Sequence, residues 1–448
     1  MKEIYSKVRE EISIYNLKEY EGKEVIIRGS VHKIREMSSF RFIILRTKEG
    51  LIQCVEETDI SIVKEGEWIK ITGILVKEGE WIKITGILVK EEKQELGYEL
   101  KVKNIEIVSK PKEQMPIIIN KKELNLNLVS KLDNRIVALR HPKEMAIFKL
   151  QEGIIRGFKE FMNNAGFTEI KSPKLVSGSA EGGADVFKIN YFEKEVVLAQ
   201  SPQFYKEIMV GVYERVFEVG AVYRAEKHDT SRHINEYISL DAEMGFIESF
   251  EEIMEIEVAL LKYIMNFLEE NYKNELKLLE ITLPQITTIP AYKFSEIKEI
   301  VSREYNRPIK DFEDLEPEEE KLIYKYVKEK YGSEFVFVTH YPTTKRPFYA
   351  MESKENRNET ESFDLLFRGI EITTGGQRIH DYDMLEEKMR KRGMNVEGFE
   401  SFMALHKYGV PPHGGLGMGL ERLLAKLVGL ENVKEASLFP RDRNRVRP

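Results

Sequence analysis

A single cysteine, Cys54, stands in 448 residues. That scarcity excludes internal disulfides and any cysteine-based metal site. Long apolar runs are missing too: no stretch of 18 apolar residues occurs, and the charged N-terminus MKEIYSKVREEISIY has no apolar core of the kind a secretory signal requires. The expected compartment is the cytoplasm, with no membrane involved. An excess of positive charge is also absent, since 69 Lys+Arg face 76 Asp+Glu for a net charge of −7. A protein that coats nucleic acid by bulk charge is therefore excluded, while a local basic face is still allowed. What is present is a hydrophobic share of 42% over a length that suits two or three domains with real cores.

From Glu24 the chain alternates apolar and polar residues in short runs: EVIIRGSVHKIREM, FRFIILRT, LIQCVEE, WIKITGILV and YELKVKNIEIV. Five such strands within residues 1–109 predict a small closed barrel of the OB type, a frequent binder of single-stranded nucleic acid. A generic β-barrel used only for packing is the alternative, and composition does not separate the two. Inside this stretch Lys64–Val76 recurs identically as Lys77–Val89, and the two copies hold both tryptophans, Trp68 and Trp81. Two copies are too few for a solenoid. A five-stranded barrel needs only one of them, so the other is expected to be a recent tandem duplication, either an added edge hairpin or a looped-out segment. Residues 110–138, opening on PKEQMP, read as a hinge, and a large domain is expected over 139–448.

The large domain mixes helical and β patterns, giving an α/β multidomain chain. Ala146 to Ala165 has helical apolar spacing ended by Gly166, and FTEIKSP follows as a strand closed by Pro173. AQSPQFYKEIM places Gln200, Gln203 and Lys206 three apart, on one face of a predicted helix. RVFEVGAVYRAE and YISLDAEMGF read as a strand pair around the polar loop KHDTSRHINE. On those strands Arg224 and Glu226 share a face, as do Ser239, Asp241 and Glu243. Inward charges on central strands are costly unless they serve a ligand. The acidic run DFEDLEPEEEK is expected to be a solvated face. In FDLLFRGIEITTGGQRIHDYD the carboxylates Asp364 and Glu371 are candidate magnesium ligands, because two carboxylates plus substrate phosphates suit that hard ion. Arg378 offers a planar fork matched to a carboxylate. Finally HGGLGMGLERLLAKLV reads as a glycine-rich strand entering an amphipathic helix. This makes Gly419 and Arg422 part of a candidate nucleotide site, unless the glycines only permit close packing.

YRAE with RHINEY resembles motif 2, and GLGMGLER motif 3, of the class II aminoacyl-tRNA synthetases. QSPQFYKE, EGGADVF, KLDNR and the closing LFPRDRNRVRP are similar to the aspartyl-tRNA synthetases of the archaeal and eukaryotic type, and the resemblance covers nearly the whole chain. It implies a class II catalytic domain built on a mainly antiparallel sheet flanked by helices, activation of L-aspartate with ATP and Mg2+, and transfer to tRNA. In that likeness Arg224 holds the α-phosphate, Glu226 the adenine edge, and His233 lies near the terminal phosphates. Tyr237 and Arg422 sandwich the adenine. Glu371 is shared between ATP and metal, with Asp364 as the second ligand. Glu181, Gln203 and Asp241 meet the amino acid's ammonium and α-carboxylate, and Lys206 and Arg378 its side-chain carboxylate. Pro173 matches the proline at the family's homodimer interface.

In the barrel, the family's uridine-stacking phenylalanine and base-reading glutamine correspond to Phe42 and Gln53. His32 stands where enzymes restricted to tRNA(Asp) tend to carry tryptophan and those that also charge tRNA(Asn) tend to carry histidine. The resemblance therefore implies a non-discriminating enzyme that supplies Asp-tRNA(Asn) to a partner amidotransferase. Three rivals are weaker. An asparaginyl-tRNA synthetase has no use for the Lys206 ammonium, an asparagine synthetase-like paralogue lacks the barrel, and a non-catalytic OB-type binding protein has no need of Arg224, Glu226, Glu371 and Arg422.

Overall fold

The computed structural model describes residues 12–57, 76–94, 96–178 and 186–447. The chain divides into two compact units, residues 1–144 and 145–448. In the first, β1 (Glu24–Glu36), β2 (Phe40–Arg46), β3 (Leu51–Glu57), β4 (Trp81–Lys90) and β5 (Tyr98–Ser109) close a barrel in the order β1-β2-β3-β5-β4. Period-two alternation aims Ile43, Leu45, Ile52, Cys54, Ile82, Ile84 and Leu88 inward, each at most 1% exposed. Each such side chain contributes roughly 1.5–3 kcal/mol of burial. Gly86 sits at a bulge where a Cβ would meet Lys101 O at 2.2 Å, so only glycine allows the strands to cross this closely. The second copy of the repeat supplies β4, and among the described residues the ring closes with that copy. Residues 64–75 of the first copy lie outside the described residues. Two short helices, α1 (Leu128–Asp133) and α2 (Arg135–Ala138), follow in this unit. Lys131 and Arg135 of the KLDNR stretch are buried there against Glu144.

The second unit is built on an eight-stranded sheet. After α3 (Pro142–Asn164) come the two-residue strands β6 (Thr168–Glu169) and β7 (Leu175–Val176), then β8 (Lys188–Tyr191) and β9 (Lys194–Leu198). Helix α4 (Gln203–Tyr213) leads into β10 (Arg215–Tyr223) and β11 (Glu236–Gly245). Next are α5 (Glu251–Asn271), α6 (Lys273–Leu278), β12 (Ala291–Lys293), α7 (Phe294–Tyr305), α8 (Pro317–Tyr331) and β13 (Phe335–Thr339). The chain closes with β14 (Ser362–Phe367), β15 (Ile370–Gln377), α9 (Tyr382–Lys391), α10 (Glu400–Tyr408), β16 (His413–Gly419) and α11 (Leu420–Val428). The sheet order is β12-β13-β14-β15-β16-β11-β10-β6, antiparallel except at the β12/β13 and β10/β6 pairs. Among the described residues no helix is long and apolar enough to cross a membrane.

One face of this sheet is dry. Leu240, Ala242 and Met244 of β11 and Leu416 and Met418 of β16 pack against Leu150, Ile154 and Phe158 of α3 and Leu260, Leu261 and Ile264 of α5. Strand periodicity then sends Tyr237, Ser239, Asp241 and Glu243 to the opposite face. The glycines of β16 stand directly across from them, with Ser239 facing Gly419, Asp241 facing Gly417 and Glu243 facing Gly415. Two local readings differ from expectation. Gln200 precedes α4 rather than opening it, and the acidic run is not wholly solvated. Glu319 and Glu320 of α8 are buried, Glu319 on Lys298 at 2.6 Å and Glu320 on Arg232 at 2.5 Å, because a charge run says nothing about partners brought by the fold.

Candidate active site

The polar face of the sheet floors a cleft of about 750 Å³. Gln203, Lys206, Arg224, Glu226, His233, Tyr237, Asp241, Asp364, Glu371, Arg378, Gly419 and Arg422 all line it. Twelve positions spread over some 220 residues of sequence thus converge on one hollow. Glu181 lies outside the described residues. Pro173 is exposed between β6 and β7, away from the cleft lining.

At one end the cleft is a charge lattice. Lys206 Nζ meets Asp241 Oδ1 at 3.0 Å, Leu416 O at 3.0 Å and Glu243 Oε2 at 3.2 Å. Arg378 donates to Glu243 Oε1 at 2.8 Å and to Gly415 O at 3.0 Å. Burial opposes charge on Glu243, but Arg378 and Lys206 together hold its carboxyl below the usual carboxylate range. Burial likewise works against Arg378, and Glu243 reverses it, raising the guanidinium above its ordinary value. The glycines make this lattice sterically feasible. A Cβ on Gly415 would lie 2.1 Å from Ala242 O and 2.2 Å from Glu243 Oε2, and one on Gly417 would lie 3.1 Å from Asp241 Oδ1. Gly419, by contrast, has nothing nearer to that position than the Arg422 side chain at 3.9 Å and opens on the cleft. The glycine run therefore does both jobs considered from sequence: close packing at Gly415, open access at Gly419.

The other end is arginine-rich. Arg224, just past β10, lies over the Tyr237 ring at 5.9 Å. Arg422 Nη1 reaches Glu371 O at 3.0 Å and Glu371 Oε1 at 3.3 Å. Burial opposes the charge on Glu371, and Arg422, Arg224 and Arg346 outweigh it and hold its carboxyl low. The neighbouring Glu421 turns inward and accepts the Ile238 N–H, fastening α11 to β11. His233 is held by the Thr230 hydroxyl at 2.7 Å, and burial lowers its pKa against the opposing pull of Glu226. Asp364 is 5% exposed, and burial together with the charge of Glu371 raises its pKa although Arg346 contacts it at 2.7 Å. Two carboxylates that repel each other across one hairpin fit a hard divalent cation. Among the described residues no cluster of three or more His, Cys, Asp or Glu side chains able to hold a metal ion exists.

Arg346 and Arg232 also line the cleft, Arg232 paired with Glu320 of α8, and none of the three was singled out from sequence. Arg346 lies in a stretch without periodicity, 18 residues before its partner Asp364. In the barrel, Phe40 and Phe42 share the outer face of β2 with rings 5.0 Å apart. Gln53, opposite Ile44, is on the same face and donates to Glu99 at 3.0 Å. His32 is 7% exposed, and burial followed by Arg46 lowers its pKa to about 4.

Residues 127–443 match the family model for tRNA synthetases class II (D, K and N). The chain belongs to that family. Residues 1–115 also match a model described as DUF1980 C-terminal domain. Among curated relatives of this synthetase, the aspartate–tRNA(Asp/Asn) ligase of Deinococcus radiodurans is 44% identical over 438 residues, 96% of this chain and 97% of the relative. The aspartate–tRNA(Asp) ligase of Pyrococcus abyssi is 39% identical over 96% of this chain and 97% of its own length. A putative aspartyl-tRNA synthetase structure from Leishmania major superimposes with TM-score 0.87 at 30% identity, covering 99% of this chain and 96% of that one. An asparaginyl-tRNA synthetase of Pyrococcus horikoshii complexed with asparaginyl-adenylate reaches 0.85 at 29%, covering 96% and 97%. Backbone shape alone therefore does not separate aspartate from asparagine enzymes; side chains in the cleft must.

Proposed function

We propose that this protein is an aspartate–tRNA ligase that joins L-aspartate to ATP as aspartyl-adenylate and passes it to the 3′ end of tRNA(Asp), and also of tRNA(Asn). The observation that carries the reading is that Lys206 and Arg378 line the same cleft as Arg224 and Arg422. One end offers two buried cations to a small diacid, and the other offers arginines to phosphates.

In the first step an oxygen of the amino acid's α-carboxylate attacks the α-phosphorus in line. The bond to the bridging oxygen breaks and pyrophosphate leaves. In the second, the terminal ribose hydroxyl of tRNA attacks the carbonyl carbon of the adenylate and AMP departs. Neither step needs a side-chain nucleophile, so rate comes from positioning and from cations facing phosphate oxygens. Arg224 binds the α-phosphate, and Arg422 and Tyr237 hold the adenine against Glu226. Asp364 and Glu371 would hold Mg2+, which when bound screens charge on the phosphates. Lys206 and Arg378 select the side-chain carboxylate. An amide in its place would leave buried charges unmatched, a deficit of the kind that gives roughly 10⁴-fold discrimination. Gln203 and Asp241, together with Glu181, would meet the amino acid's ammonium and α-carboxylate.

The barrel reads the anticodon through Phe42, whose stacking contributes about 1–3 kcal/mol per base, and through Gln53. Histidine rather than tryptophan at position 32 supports charging of both tRNAs, and Asp-tRNA(Asn) then passes to an amidotransferase. Pro173 takes part in a homodimer. Aspartate-dependent, asparagine-independent ATP–pyrophosphate exchange tests the first step. Charging of each purified tRNA tests the second, and refusal of tRNA(Asn) would end the dual-substrate part.

A further inference from the structure

Behind the cleft lies a buried pair that the reaction just described does not use. Glu207 and His413 are both fully enclosed, and neither lines the cleft. Glu207 Oε1 accepts from Gln203 Nε2 at 2.7 Å, and Glu207 Oε2 faces His413 Nε2 at 3.0 Å. The second ring nitrogen, His413 Nδ1, faces Pro411 O at 2.9 Å. The Pro411 carbonyl only accepts, so Nδ1 donates to it. Burial opposes charge on the ring, but Glu207 at Nε2 outweighs it and raises the His413 pKa, which favours an imidazolium donating at both nitrogens. His413 thus fixes one oxygen of Glu207 and leaves the other as an acceptor for Gln203. That acceptor dictates which way the Gln203 amide points, since its NH₂ must face Glu207 Oε1. The Gln203 carbonyl oxygen is left for the cleft.

We infer that Glu207, clamped by His413, is a positioning residue that presents Gln203 to the amino acid substrate as a hydrogen-bond acceptor for its ammonium group. This rests on the reading of the cleft as an aspartate site. Without the clamp the amide would rotate freely between acceptor and donor, and half of its orientations would set an NH₂ against the substrate's NH₃⁺. The effect belongs to amino acid binding and not to ATP, whose arginines stand at the other end of the cleft.

The test is ATP–pyrophosphate exchange with Glu207→Gln, which keeps shape but removes the charge. The expected result is a KM for aspartate raised about tenfold or more, as for loss of a charge-assisted hydrogen bond. KM for ATP and kcat should stay within about twofold. Added to Gln203→Ala, the same change should cost less than about twofold further, because Glu207 acts only through the amide. A merely structural role would lower stability without this KM split and would add fully to Gln203→Ala. Should Glu207→Gln not fold, His413→Asn reads the same pair, with a shift in the same direction. An unchanged KM for aspartate in the variant that folds, a parallel rise in KM for ATP, or full additivity would overturn the inference. A wild-type protein without aspartate-dependent exchange would instead defeat the aspartate-site reading itself.

Discussion

Replacing Lys206 by methionine isolates the cation on which the amino acid end of the cleft depends. The substitution keeps the aliphatic stem and removes an ammonium held by Asp241, Glu243 and Leu416 O at 3.0–3.2 Å. Glu243 retains Arg378, but among the described residues no other lysine or arginine pairs with Asp241. Breaking a buried pair from one side costs about 3–5 kcal/mol, because the remaining charge is buried without compensation. For a unit of this size that corresponds to a fall in Tm of roughly 5–8 °C. The deficit has a pH signature. Glu243 has a depressed folded pKa, so its stabilisation is present above the unfolded carboxylate range and lost as pH falls through the folded value. Without Lys206 that folded value rises, Glu243 takes up its proton sooner, and the gap between variant and wild type narrows on acidification. Thermal unfolding of both proteins between pH 5 and 8 measures this, with aspartate-dependent exchange on the same samples. Equal stability at pH 7.5, or a gap that widens toward acid, would refute the lattice account.

Gly415→Ala should destabilise by about 1–3 kcal/mol or more, since its Cβ would overlap Ala242 O and Glu243 Oε2, whereas Gly419→Ala should leave Tm unchanged and raise KM for ATP. Denaturant midpoints and exchange kinetics on the two variants check the contrast. Glu257 of α5 is fully buried, and burial pushes its carboxyl up to about 8. Its folded pKa lies above the unfolded value, so it weakens the fold increasingly as pH rises from the carboxylate range toward 8. Glu257→Gln should therefore be at least as stable as wild type at pH 7, with a flatter pH profile in thermal melts. His32, lowered to about 4, should stay neutral at pH 6 and titrate far below an ordinary histidine by NMR. Between its unfolded pKa near 6.5 and that folded value, acidification costs the barrel stability. Deleting residues 64–76 shortens the β3–β4 connection from 23 residues to ten while leaving β4 in place. Loop closure then favours the barrel by about 0.7 kcal/mol, so Tm should hold or rise slightly; loss of folding would contradict a single-copy ring.

The candidate cleft was legible in the sequence wherever strand alternation did the placing. Tyr237, Ser239, Asp241 and Glu243 fall on one face because Leu240, Ala242 and Met244 must fall on the other. The motif arginines, Arg224 and Arg422, could be read from strand ends and helix starts for the same local reason. What escaped depends on contacts distant in sequence. Arg346 gains its role only when a non-periodic segment folds back on Asp364, and Glu207 meets His413 across 206 positions. Glu320 sits in a run whose composition promised solvent, yet Arg232 draws it inside. No period or propensity records such meetings.

The duplicated stretch carries information about age. Val63 to Glu78 and Val76 to Glu91 spell the same sixteen residues, offset by thirteen. Side chains at Ile82, Ile84 and Leu88 are held to their identity by the barrel interior. A ring already complete imposes no such discipline on a spare version, and unselected spelling drifts. Because the two versions still agree letter for letter while curated relatives differ at more than half of all positions, the copying event is young on the timescale of this lineage.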